Sequence, residues 1–180
     1  MADVGVRPAR GEDADDLARI QAAVWTCVHR DGLPAEVLAA AGSPDAVAQW
    51  RAAAGHPPSP RHHVLTATDG GEIVGFAALT PAGDPDTVPA LDGELIALHV
   101  DPQAQGAGHG SRLVNAVADV ARDDGVHHLH VWLADAEVAL REFLVTSGWA
   151  YDGATRELDL TGDGRLLVGQ ARLRTALVEL

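Results

Sequence analysis

Residues 94–113 read Glu94-Leu95-Ile96-Ala97-Leu98-His99-Val100-Asp101-Pro102-Gln103-Ala104-Gln105-Gly106-Ala107-Gly108-His109-Gly110-Ser111-Arg112-Leu113. Glu94–Val100 is a strand-like apolar run, and the loop after it carries Gly106, Gly108 and Gly110. Leu113, Val114, Val117, Val120 and Ala121 then recur at helical spacing until Asp124-Gly125 closes the helix. A strand, a glycine loop and a helix in this order suit a pyrophosphate. Glycines let backbone N–H groups approach an anion with no Cβ in the way. The first helical turn adds unpaired donors and a partial positive charge. No cationic side chain is needed.

Three phosphate-loop patterns compete for this stretch. A Walker loop ends in Gly-Lys-Ser/Thr, but here the run ends Gly110-Ser111 and the chain has no Lys. A dinucleotide fingerprint needs G-x-G-x-x-G; Gly106 and Gly108 are present, but Ser111 stands at the third glycine. The pattern Q/R-x-x-G-x-G/A is met in full by Gln105, Gly108 and Gly110, behind Leu98-His99-Val100 and the turn Asp101-Pro102.

On the N-terminal side, Val4–Arg7 reads as a strand and residues 12–28 as a helix with Leu17, Ile20, Val24 and Val28 on one face. Glu12, Asp13, Asp15 and Asp16 crowd its first turn, where the helix dipole favours negative charge. Further helices start at Pro34, with Val37 and Leu38 inward, and at the cap Ser43, the latter running to about Ala54. The prolines of 56–60 stop helical structure, and strands 62–68 and 72–79 follow around the hairpin signal Asp69-Gly70-Gly71. Residues 80–92 read as a surface loop. Beyond the glycine corner come a strand at His127–Trp132, a helix at Asp135–Ser147, extended pieces at Trp149–Tyr151 and Arg156–Leu160, and a last strand at Leu167–Ala176. This order predicts a single α/β-type domain over residues 1–180 with helices packed on a mixed sheet.

Leu98-x-Val100-x-Pro102-x-x-Gln105-Gly106-x-Gly108-x-Gly110-x-x-Leu113 resembles motif A of the GNAT superfamily, N-acetyltransferases that bind acetyl-CoA. The N-terminal helices, the 62–79 hairpin and Phe143…Gly148-Trp149 fall in the family's order, so the resemblance spans roughly residues 3–176. It implies an α/β (α+β) GNAT fold: a central mixed, mostly antiparallel sheet, splayed between its fourth and fifth strands and flanked by helices. The pantetheine arm of acetyl-CoA would lie in that gap, bonded by the backbone of Leu98 and Val100. The N–H groups of Gln105, Gly106, Ala107, Gly108, His109, Gly110 and Ser111 would hold the pyrophosphate. An N–H near His99 or Val100 would polarise the thioester carbonyl. An acceptor amine would attack that carbonyl directly in a ternary complex, with Glu94 as its general base, since a free alkylamine is mostly protonated at neutral pH.

The resemblance breaks at the helix before Gly148. Leu144 stands where the family usually has the Tyr that protonates the leaving thiolate, and Glu137 stands where it has Asn. Tyr151 and Cys27 remain as acids by residue type alone. The missing Tyr supports a second reading, a non-catalytic acyl-CoA-binding sensor or interaction protein of the same fold. A nucleotide-phosphate binder of another fold is the third.

Composition sets outer bounds. A chain of 180 residues with 47% hydrophobic and 22% charged residues is neither disordered nor fibrous. It holds no run of 18 apolar residues and no secretory leader at its start, and Cys27 is its single cysteine, so a cytoplasmic protein with no membrane span is expected. Thirteen Arg against 26 acids give a net charge of −13, which repels nucleic acid and anionic membranes. The partner expected is a small-molecule or peptide amine, steered by the loop acids Asp84, Asp86 and Asp92 or merely passing a solvated acidic surface. Trp25 and Trp50 either line an amine pocket or belong to the core. His62 and His63 point to opposite faces of their strand, in structural roles. His128 and His130 share a strand face with no further ligand evident, so no metal is expected and they read as edge or surface histidines. His109 is expected at a CoA phosphate or in solvent. Arg112 is read as reaching a phosphate at the adenosine end or as a solvated helix residue. The last strand offers an edge for a possible homodimer.

Overall fold

The computed structural model describes residues 4–177. Its strands are β1 (Val4–Pro8), β2 (His63–Asp69), β3 (Glu72–Pro81), β4 (Asp92–Val100), β5 (His128–Ala134), β6 (Ala150–Asp159) and β7 (Leu167–Ala176). Its helices are α1 (Ala14–His29), α2 (Ala35–Ala40), α3 (Pro44–Gly55), α4 (His109–Asp123) and α5 (Val138–Thr146). The seven strands form one sheet in the order β1-β2-β3-β4-β5-β7-β6. Only β4 and β5 run parallel; all other neighbours are antiparallel. The sheet is mixed and mostly antiparallel, as the motif resemblance implies.

Local chemistry explains the boundaries. Ser43 caps α3 by accepting from Ala46 N–H at 3.3 Å, with Pro44 in its first turn. Asp69 and the positive-φ glycines Gly70 and Gly71 turn β2 into β3. The first helix is entered through a short turn at Gly11–Asp13. There Asp13 is buried, receives Arg10 N–H at 2.7 Å, and pairs with both Arg7 Nη atoms at 2.7 and 2.9 Å.

Each sheet face has its own core. Leu113, Val117 and Ala121 of α4 pack with Leu65, Ala67, Ala77, Leu79, Leu95 and Leu98 on one face, joined by Leu129, Leu144, Trp149 and Leu173. On the other face Leu17 and Ile20 of α1 meet Phe76, Ala78 and Ala97, with Trp50 at the margin. Alternation along β4 therefore sends Leu98 toward α4 and Ala97 toward α1.

The feature that positions the site is the pairing of β4 with β5. They are in register only at Asp92–His128, Gly93–Leu129 and Glu94–His130. Beyond Glu94 the strands part, leaving the rest of β4 with one free edge. The expected dimer edge is absent: β7 is bonded to β5 on one side and to β6 on the other. Its backbone donors and acceptors are spent within the chain, and β6 is the edge instead. No helix among the described residues is long and apolar enough to cross a membrane.

Candidate active site

Two cavities meet where the strands part. The larger is a cleft of about 680 Å³ lined by Val24, Cys27 and Val28 of α1, by Leu98, His99 and Val100 of β4, and by Gln105, Gly106, Gly108, His109, Gly110 and Ser111 of the glycine corner. Ala136–Leu140 and Phe143 close it. The corner offers backbone donors. Gly106 and Gly108 have φ of 81° and 83°, a region that L side chains rarely adopt. The N–H groups from Gln105 to Ser111 have no backbone or side-chain acceptor among the described residues, and α4 begins at His109 behind them. Gln103 and Ala104 N–H, by contrast, are folded back on Asp101, and Gln105 Nε2 donates to Val100 O at 3.3 Å.

The free edge of β4 has a fixed polarity. Asp101 N–H donates to Val74 O across the β3–β4 ladder at 2.8 Å. Alternation then turns the His99 amide toward β3 and leaves the N–H and C=O of Leu98 and Val100 facing the cleft. His99 contributes its ring instead. The ring packs edge-on against Phe76 with centroids 5.2 Å apart, and it borders both cavities. Burial, aided by His29, lowers its pKa to about 4, so the imidazole is neutral. Its Nδ1 is buried without a partner.

The second cavity, about 390 Å³, lies on the other side of that ring. Its walls include Trp25, Trp50, Ile96 and Trp132, the carboxyls of Glu94 and Glu137, and Arg156 and Gln170 from the last hairpin. Burial pushes the Glu94 carboxyl above its ordinary value, with Arg156 opposing and Asp84 adding to the rise. No ion pair or hydrogen bond holds Glu94 among the described residues. Glu137 also borders both cavities. Its Oε2 accepts Ala134 N–H at 2.7 Å, and burial raises its pKa against that bond and against Arg141.

Similarity to known proteins follows the same outline. A model described as "Acetyltransferase (GNAT) family" matches residues 21–149, from α1 through the glycine corner to the end of α5. The chain belongs to the GNAT family of acetyltransferases. It is 38% identical over 73 residues to N-alpha-acetyltransferase RimI of Mycobacterium tuberculosis, covering 41% of this chain and 44% of that protein. It is 40% identical over 81 residues to mycothiol acetyltransferase of Sanguibacter keddieii, covering 44% of this chain and 25% of that protein. The chain thus matches less than half the length of these relatives. A crystal structure of the PaiA N-acetyltransferase of Thermoplasma acidophilum in complex with coenzyme A superposes with a TM-score of 0.77, covering 97% of this chain and 99% of that one at 13% identity. That likeness concerns the fold.

Several GNAT-based and sequence-based expectations need correction. Ala107 is absent from the cleft lining, and its carbonyl accepts Arg112 Nη1 at 2.9 Å, so Arg112 braces the loop while the Ala107 N–H stays a candidate donor. His109 is not solvated, although it lines the cleft. It is 2% exposed, both ring nitrogens lack a hydrogen bond, and its Nε2 lies 3.5 Å from Asp69. Leu144 is fully buried in the α4-side core, so position 144 carries no group into the cleft. Cys27 does line the cleft, whereas Tyr151 is half-exposed on β6 and lines neither cavity. Trp25 and Trp50 both line the second cavity, and Trp50 is also core-packed against Phe76 with its Nε1 donating to Gln21 Oε1.

The loop acids are not free to steer a ligand. Arg172, 5% exposed, donates to Asp84, Asp86 and Asp152. Trp132 Nε1 adds a bond to Asp84 Oδ2 at 2.9 Å. Asp92 is buried between Val88 N–H, His128 and His130. Burial alone would push its carboxyl up, but these partners outweigh it and hold it below its ordinary value. His130 is consequently a buried partner of Asp92 rather than a surface residue. His63, read as structural, is paired with Asp124 at 2.7 Å.

Proposed function

We propose that this protein uses acetyl-CoA to acetylate a primary amine by direct attack in a ternary complex. The observation that carries the reading is the meeting of two cavities at His99 and Glu137, one rich in free amides and the other holding an unpaired carboxyl at Glu94. The amides of Gln105–Ser111 fit a pyrophosphate because Gly106 and Gly108 put no Cβ between them and the anion. The cleft-facing groups of Leu98 and Val100 suit a pantetheine amide and, nearer the junction, the thioester oxygen.

Glu94 takes a proton from the acceptor ammonium. The amine nitrogen bonds to the thioester carbon, and the oxygen gains negative charge opposite a β4 amide. The adduct nitrogen then gives its second proton to Glu137 as the C–S bond breaks, yielding the N-acetyl product and CoA thiolate. A thiolate with a conjugate-acid pKa near ~8.5 is a fair leaving group without the family's Tyr. We assign Glu137, at the junction, to return a proton to sulfur.

A thiol-release assay with acetyl-CoA and a panel of amines tests this, on wild type and Glu94→Gln. The wild type should release CoA in step with N-acetyl product. Glu94→Gln should lower kcat/KM by about 10²–10⁴-fold with acetyl-CoA binding intact. The wild-type rate should rise with pH through an apparent pKa above the ordinary 4.5 of a Glu, because the base acts deprotonated, and this limb should vanish in the variant. CoA binding with no amine turnover would favour the non-catalytic acyl-CoA-binding reading that Leu144 suggests.

A further inference from the structure

The second cavity gathers its hydrogen-bond donors on one wall. Arg156 of β6 and Gln170 of β7 are register partners. Arg156 Nε donates to Gln170 Oε1 at 2.8 Å, and its guanidinium lies over the Trp132 ring, 4.3 Å from the centroid. These contacts fix the guanidinium plane and occupy one nitrogen and one face. The Nη1/Nη2 fork makes no hydrogen bond among the described residues. Its nearest carboxylate, Asp84 Oδ1, stands 3.9 Å from Nη1, too far for a hydrogen bond, and Asp84 Oδ2 is taken by Arg172 and Trp132. Since Gln170 Oε1 accepts from Arg156, the Gln170 amide presents its NH₂ as a free donor.

A guanidinium fork held in plane beside an amide NH₂ is a donor set for a carboxylate. Arg156 is also the one Arg among the residues lining this cavity, and no Lys exists in the chain. The other ionisable lining groups are Glu94, Glu137 and the histidines His29 and His99, both held toward the neutral form by burial. The cavity therefore offers carboxyls at Glu94 and Glu137 and a cationic fork at Arg156. Trp25, Trp50, Ile96, Leu158, Leu160 and Val168 supply apolar surface around them.

We infer that the acceptor is a dipolar small molecule, an amine that also carries a carboxylate, with Arg156 and Gln170 holding the carboxylate and Glu94 facing the amine. This rests on the acetyl-transfer reading and narrows it. It departs from the cationic acceptor that the net charge of −13 suggests, and a zwitterion meets no net repulsion from that field. A second cation on the acceptor, as in a polyamine, would face Arg156. Arg156 and Gln170 lie C-terminal to residues 21–149, the segment matched by the family model.

The test pairs acceptors that differ only in the carboxylate: phenylalanine, leucine and 4-aminobutyrate, each against its primary amide and its decarboxylated amine. In the best pair, the carboxylate-bearing member should have a kcat/KM higher by about tenfold or more. Arg156→Gln should collapse that ratio through KM, and Arg156→Lys should restore part of it. Calorimetry adds a readout that needs no turnover. N-acetylphenylalanine and N-acetylleucine should bind the wild type more tightly than their amides, and Arg156→Gln should erase the difference. Preference for acceptors lacking a carboxylate, or equal losses on both members in Arg156→Gln, would overturn the inference while leaving acetyl transfer intact. Arg156-dependent binding of N-acetyl acids with no turnover on any amine would sustain the carboxylate site and sink acetyl transfer instead. Absence of both effects overturns the inference.

Discussion

The cleft and the second cavity are built from different materials. The cleft's working groups are main-chain: the amides of Gln105–Ser111 and the free edge at Leu98 and Val100, all within 14 consecutive positions. The second cavity is made of side chains from α1, α3, β4, β5 and the β6–β7 hairpin, drawn from residues as far apart as Gln21 and Gln170. A site of backbone donors needs only a chain path, so many sequences can form it once glycines remove the Cβ atoms. A site of side chains depends on which residues fold next to one another. The first kind fits an unvarying diphosphate; the second can be retuned to a new acceptor without disturbing the first.

Substitutions that strike one region and spare the other sharpen this contrast. The largest effect after loss of Glu94 is expected from Gly108→Val. With φ at 83°, a β-branched residue strains the turn, and its Cβ would stand 3.4 Å from Arg112 Nη1. CoA affinity measured by calorimetry should fall about 100-fold, equivalent to ~2.7 kcal/mol, with circular dichroism unchanged. An unaltered affinity would show that the corner does not grip the cofactor.

Leu144→Tyr probes the boundary between core and cleft and should act more mildly. Position 144 is fully buried, so the added ring and hydroxyl overpack the core rather than reach the thiolate. Stability in urea should drop by about 1–3 kcal/mol, and turnover should not rise. A faster enzyme of unchanged stability would mean that position 144 does reach the cleft.

The same contrast explains what was legible in the sequence. Gln105, Gly108 and Gly110 stand in one continuous pattern, and the resemblance they carry implied the mixed, mostly antiparallel sheet and the splay between its fourth and fifth strands. His99 was legible as a cleft residue but not in its manner, because the direction of an amide depends on the Asp101–Val74 bond to β3. The loop acids looked solvated because their cation, Arg172, lies 86 residues from Asp86. Nothing local in the sequence announces that distance. Glu137 escaped notice as a cavity residue because its placement follows from where β5 ends, and Ala134 N–H fixes it only in three dimensions. The one available signal was the acid standing at a position where the family carries Asn. Arg156 and Gln170, 14 residues apart, meet through hairpin register, which two extended pieces of sequence do not specify.

The central claim is that main-chain amides of β4 and its glycine corner hold CoA. Titrating ¹⁵N-labelled protein with CoA and following its amide resonances tests that claim most directly. The largest shifts should fall on Leu98, Val100 and Gly106–Ser111, with His99 N–H, turned toward β3, much less affected. Shifts concentrated around Trp25, Trp132 and Arg156, with the corner amides unmoved, would contradict it.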